Sequence, residues 1–271
     1  MNRTLISALL IIIFVSGAFS QDTTKFRSVT NNAFRPGEKL EFEINYGFVT
    51  AGSAVMQIEP KTTEINGRKC YVININVSSS SSFEFIYKFR TTYKCYIDAE
   101  GIFPWLVEQE KIEGKSNKNT RTEFDQVNLK AIITENEPNK PQNQTEKPIE
   151  KYALDDISVF FYARTLDFSK KQAGDIVYFP YFVKDQTKQL GIKFIGRETT
   201  EVPAGEFKCM LVQPMLKESA LASKVDDIIV WLTDDEYKMP VKIQMSIIIG
   251  SVKVELTSFQ GLPGPLKTKI D

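Results

Sequence analysis

Lys39-Leu40-Glu41-Phe42-Glu43-Ile44-Asn45-Tyr46 decides the fold. Leu40, Phe42, Ile44 and Tyr46 alternate with Glu41, Glu43 and Asn45, the period of two that sets one face of a β-strand on a core and the other in water. The same grammar recurs down the chain. Residues 48–52 turn it, Ala54, Met56 and Ile58 share one face of a second strand, and Asn66-Gly67 is the pair a type I′ hairpin needs, since both central residues take positive φ. Tyr71, Ile73, Ile75 and Val77 then line a third strand. These three elements read as a meander.

Residues 78–82 are a serine run, followed by Phe83-Glu84-Phe85-Ile86-Tyr87 as a short helical turn or an aromatic plug. Tyr93, Cys95 and Ile97 restart the alternation, and strands are expected over 106–112, 120–124 and 129–133, with 115–119 a polar loop. Residues 135–148 hold almost nothing apolar, so they predict a long mobile loop. Past residue 175 the pattern returns in Val177, Phe179, Tyr181 and Val183, where Pro180 marks an edge strand because it cannot donate to a ladder. Leu190–Phe194, Phe207–Leu211, Ile228–Leu232, Val241–Ile247 and Val252–Leu256 continue it, and the Pro/Gly/Lys composition of 261–271 predicts a frayed tail.

One segment breaks the β pattern. Residues 155–166 open on Asp155-Asp156 and contain neither Gly nor Pro, which predicts a helix with an acidic N-terminus. Its apolar side chains cover more than one face, so it needs burial on several sides, as in the concavity of a curved sheet. About a dozen strands exceed what a flat open sheet tolerates. The expected fold is therefore mostly β, a curled antiparallel sheet or open barrel with one buried helix near residues 155–168, in one domain or in two β-rich halves meeting near 135–150.

Arg3, the apolar run through Val15 and the small residues Ala18 and Ser20 form the pattern of a cleaved signal peptide over residues 1–20. The run is shorter than the roughly 20 residues a membrane span requires, so no transmembrane segment is expected after cleavage. This places the protein in the periplasm or outside the cell. Removal of Arg3 tips the balance of 34 cations and 34 carboxylates to a net charge near −1, which does not imply the basic surface a nucleic-acid partner calls for, so none is expected. Cys70, Cys95 and Cys209 are too scattered for a disulfide scaffold or a zinc cluster; they are buried thiols, or one bridge and one thiol.

The chain contains no histidine. Ser-His-Asp and Cys-His activation are thereby excluded, along with metal sites built on imidazole. Carboxylates remain, but Asp155 and Asp156 point about 100° apart on a helix and are explained by capping. Asp234-Asp235-Glu236 lacks the ligand spacing of a calcium loop and reads as a turn.

Pro36-Gly37-Glu38-x-Leu40, Tyr46-Gly47 through Ala51-Gly52, Tyr87-Lys88-Phe89-Arg90, the Asp155-Asp156 helix ending in Arg164, Val202-Pro203-Ala204-Gly205-Glu206-Phe207-x-Cys209, and Trp231-Leu232-Thr233-Asp234-Asp235 through Met239-Pro240-Val241 occur in an order and spacing that resembles the bacterial exported domain-of-unknown-function 3108 family. The resemblance covers nearly the whole mature chain and implies a curved, mostly antiparallel β structure. It brings no activity and no catalytic residues.

The sequence thus leads to an exported, non-enzymatic protein of the bacterial cell envelope, with no catalytic residues, no metal and no cofactor. With 19 Phe and 10 Tyr, its curled sheet is suited to an apolar or amphipathic ligand such as a lipid or a lipoprotein acyl chain. Phe85, Phe89, Phe160, Phe161 and Tyr162 are the candidate ligand-binding residues; the same aromatics would equally serve as core. The alternatives are an envelope structural or assembly protein whose protein partner adds to a strand edge, and a hydrolase of carbohydrates with two carboxylates about 5 to 10 Å apart.

Overall fold

The computed structural model describes residues 26–217, 228–246 and 250–270; the signal-peptide residues, Ile247 and Ile249 lie outside them. The strands are β1 (Lys39–Tyr46), β2 (Val49–Ile58), β3 (Thr63–Ile65), β4 (Arg68–Ser79), β5 (Phe89–Asp98), β6 (Pro104–Glu113), β7 (Ser116–Asp125), β8 (Lys130–Asn136) and β9 (Asn143–Pro148). Helix α1 (Ser158–Thr165) follows, then β10 (Ile176–Val183), β11 (Gln186–Val202), β12 (Gly205–Leu216), β13 (Ile228–Thr233), β14 (Pro240–Ser246), β15 (Ser251–Gln260) and β16 (Lys269–Ile270).

All described ladders are antiparallel and join one open sheet, in the order β10-β11-β12-β13-β14-β15-β1-β2-β4-β5-β6-β7-β8-β9. β1 pairs with both β2 and β15, so strands from before and after α1 meet at the middle of the sheet. The curled, mostly β fold with one buried helix is as the sequence predicts, although the helix begins at Ser158 and Asp155-Asp156 precede it, and Pro180 sits in the edge strand β10. Among the described residues no ladder joins β10 to β9. Leu154 instead makes a single parallel bridge to Tyr181, its N–H donating to Pro180 O (2.9 Å) and its carbonyl accepting from Phe182 N–H (2.7 Å).

Local chemistry explains the turns and crossings. Asn66 and Gly67 take φ of 52° and 72° and join β3 to β4 as the hairpin pair requires. Gly52 stands where β2 passes β4 so closely that a Cβ would lie 2.2 Å from the Ser78 carbonyl oxygen, so only glycine fits.

Three polar segments differ from their sequence reading. Residues 143–148, expected in a mobile loop, form the edge strand β9 on β8, and most of 115–119 joins β7 after the turn at Gly114. Residues 261–270, expected to fray, are tied down: Leu262 is buried, Phe207 pairs with Lys269, and Thr268 Oγ1 donates to Asp235 Oδ2 (2.8 Å). In each case the order comes from backbone pairing and a few anchors, which composition does not register. The segment 83–87 is a helical turn, with Tyr87 N–H donating to Phe83 O (2.9 Å), but it plugs nothing: Phe85, Ile86 and Tyr87 are exposed.

Candidate functional site

Helix α1 lies in the concavity of the sheet, and its ends are built differently. At the start, the Asp155 carboxylate accepts from the N–H groups of Ile157 (3.1 Å) and Ser158 (3.0 Å), while Ser158 Oγ accepts from Asp155 N–H (2.9 Å). This reciprocal arrangement satisfies donors that a helix start leaves free. Capping is therefore the role of Asp155, and burial raises its pKa. Asp156 points away from the helix and accepts a hydrogen bond from the Tyr181 hydroxyl.

At the other end Arg164 is buried and grips Glu38, Nη1 to Oε1 at 2.6 Å and Nη2 to Oε2 at 2.9 Å. Its Nε donates to Tyr237 O (3.1 Å) and Nη2 also to Ala33 O (3.0 Å). Three stretches of the motif pattern, at 36–40, 155–164 and 231–241, thus converge on one guanidinium. A buried charge needs this density of partners, because leaving it unpaired costs several kcal/mol (~3–5).

Between the helix and the sheet lies a cavity of ≈ 290 Å³. Val159, Phe160, Phe161 and Ala163 form its helical wall. Leu190 and Ile192 of β11, Val212 and Pro214 of β12, Ile228, Val230 and Leu232 of β13, and Ile243 of β14 form the opposite wall, with Met56 beside them. Val212, Val230 and Ile243 are direct cross-strand partners, one row of short branched side chains. Ala163 presents a short side chain to this space.

Polar groups bound the cavity at both ends. Arg164 closes one end, neutralised by Glu38 and sealed from water. Asp156 and Tyr181 line the other, where Asp156 is exposed, so the cavity opens there. Burial, then the Asp156 charge, raises the Tyr181 pKa and keeps its hydroxyl a donor. Tyr93 is pushed up to about 12 by the same two causes, and its hydroxyl accepts from Gln109 Nε2 (2.8 Å).

The candidate aromatics separate. Phe160 and Phe161 line the cavity, and Phe161 also meets Phe34 edge-on with centroids 4.9 Å apart. Tyr162 points to the other side of the helix, against Phe179 (5.2 Å) and under the Arg27 guanidinium (4.5 Å). Phe85 is in solvent, and Phe89 packs beside Gly52 at the end of the sheet. Sequence reading missed the aliphatic wall, Asp156 with Tyr181, and Arg164 with Glu38. Asp235, in the acidic triplet, accepts from Tyr237 N–H (3.0 Å), Thr233 Oγ1 (2.8 Å) and Thr268 Oγ1, which makes it a turn residue. Cys70, Cys95 and Cys209 are free and buried.

Known proteins resemble this fold. A β-barrel-like protein of domain of unknown function DUF1849 from Brucella abortus aligns with a TM-score of 0.53 at 7% identity, over 84% of this chain and 98% of its own. A protein of Bacteroides fragilis assigned as exported, with a YmcC-like fold, gives 0.34 at 8% identity over 86% and 100%. A protein of Parabacteroides distasonis assigned as a lipoprotein gives 0.30 at 9% identity over 86% and 99%. The first shares the fold; the other two superpose too loosely to carry an argument. Among curated proteins no sequence matches this chain. The family model described as protein of unknown function (DUF3108) matches residues 41–257, a span running from β1 to β15 and enclosing both walls of the cavity, and the chain belongs to that family.

Proposed function

We propose that this protein is an exported, non-enzymatic carrier of the bacterial cell envelope that holds an apolar or amphipathic molecule, a lipid or lipoprotein acyl chain, in the cavity beneath α1. The observation that carries the reading is the cavity itself, apolar along both walls, sealed at Arg164 and open at Asp156. Its ≈ 290 Å³ lies at the lower edge of ligand pockets, roughly 300–1,000 Å³, which suits one chain and not several. Catalysis has less support, because the carboxylates beside the cavity are engaged, Asp155 in capping, Asp156 with Tyr181 and Glu38 with Arg164. The polar mouth favours a ligand whose head group donates hydrogen bonds over one with a free carboxylate, since Asp156 repels an anion.

The test is native mass spectrometry of protein purified from the envelope of its own host. A discrete added mass that is released by detergent and identified as a lipid supports the proposal. A bare chain, or a co-purifying protein in place of a lipid, overturns it. Export is tested on the same sample: the mature N-terminus should be Gln21, and a chain beginning at Met1 contradicts it.

A further inference from the structure

The alternating topology gathers the hairpin turns at 46–49, 80–88 and 113–116 at one end of the sheet. They touch: Ser80 Oγ donates to Thr50 O (2.9 Å), Ser80 N–H donates to Ala51 O (2.8 Å), and Gly114 N–H donates to Lys88 O (2.9 Å). On this cluster Phe48 is 109% exposed, Phe85 95% and Ile86 74%, with Val49 and Tyr87 about half exposed. Single exposed apolar residues are ordinary on soluble proteins, but here they share adjoining turns. The mouth of the cavity lies toward the same end, since Tyr181 is two residues from the end of β10, where the next hairpin turns.

We propose that this end of the sheet docks on an anionic lipid surface, with Phe48, Phe85 and Ile86 entering the interface. Two observations favour lipid over a second protein. The charge is complementary: across residues 80–90 and 111–116, Glu84 and Glu113 pair with Lys88 and Lys111, and Arg90 and Lys115 remain as an excess of two positive charges. Basic side chains beside apolar ones are what an anionic headgroup layer attracts. The shape is also wrong for a protein partner. A stable protein interface engages about 20–30 residues on each side, whereas the exposed apolar groups here sit on the tips of two turns. Separate tips can each enter a fluid interface, but they do not form a packed protein core. The inference stands on the turns and their charge and does not require the cavity to be filled.

Sedimentation with vesicles tests it. The full mature chain should sediment with vesicles of equimolar phosphatidylcholine and phosphatidylglycerol, and less with pure phosphatidylcholine. The variant Phe48→Ser/Phe85→Ser/Ile86→Ser should bind about tenfold or more weakly at an unchanged melting temperature, because these side chains touch no core. It should still bind an apolar probe in the cavity, so loss of vesicle binding with retained probe binding isolates this proposal from the carrier reading. Failure of the wild type to sediment with the mixed vesicles overturns the proposal. So does undiminished binding by the variant, or a wild-type dimer that the variant dissociates.

Discussion

Arg164 and Glu38 are 126 positions apart in the chain and form a two-pronged ion pair sealed from water, at 2.6 and 2.9 Å. The pair fixes the end of α1 against the entry to β1. Arg164 and its neighbour Ala163 both line the cavity beside the sheet.

Removing one partner exposes the cost of the other. Glu38→Ala should destabilise by about 3–5 kcal/mol in denaturant unfolding, because Arg164 is left charged and buried. Glu38→Leu with Arg164→Met replaces the pair by apolar groups and should cost clearly less than the single change. A single variant within about 1 kcal/mol of wild type would remove the pair from the account of how α1 is held.

Asp98 supplies a pH dependence whose sign follows from its surroundings. Burial alone raises its pKa, but the Arg68 guanidinium, the Gly101 N–H (2.7 Å) and Trp105 Nε1 (3.1 Å) outweigh burial and hold it below its ordinary 3.8. The folded protein therefore binds this proton less readily than the unfolded chain. The resulting stability is present above pH 3.8 and lost as pH falls through the lower folded value. Asp98→Asn should be less stable than wild type at neutral pH, and the gap should narrow in melting curves taken below that point. Parallel curves would contradict the assignment.

The thiols should be silent in the native protein. Burial pushes Cys70 and Cys209 up to about 12 and Cys95 well above its ordinary value, so little thiolate forms near neutrality. An Ellman titration without reductant should find all three only after unfolding. Fewer than three on unfolding would reveal a bridge.

Phe161 and Phe160 should differ. Phe161 is buried under Arg164 and against Phe34, so Phe161→Ala should cost about 3–5 kcal/mol. Phe160 is only half-buried and should cost less while changing affinity for an apolar probe. Equal stability losses would place both in the core and shrink the role of the cavity wall.

The strands were legible because half-buried strands must alternate, as Leu40 to Tyr46 do. β9 was not, because Asn143–Pro148 has no apolar face and owes its order to backbone bonds with β8. The cavity was half legible. Phe160 and Phe161 stood out as helical aromatics, yet nothing in the residue types distinguished them from Tyr162 or Phe85. Only packing sends Tyr162 toward Phe179 and leaves Phe85 in water. Val212, Val230 and Ile243 read as ordinary strand core, since a wall facing empty space and a wall facing side chains use the same residues. The Arg164–Glu38 pair joins distant segments, and periodicity reports only local order.

The central claim is that the space beside Ala163 holds an apolar molecule. Titration of the uncharged dye N-phenyl-1-naphthylamine into the delipidated mature protein should give saturable, one-to-one fluorescence enhancement, and Ala163→Phe, which fills the space, should abolish it without lowering the melting temperature. No saturable binding by the wild type, or equal binding by wild type and variant, would contradict the account.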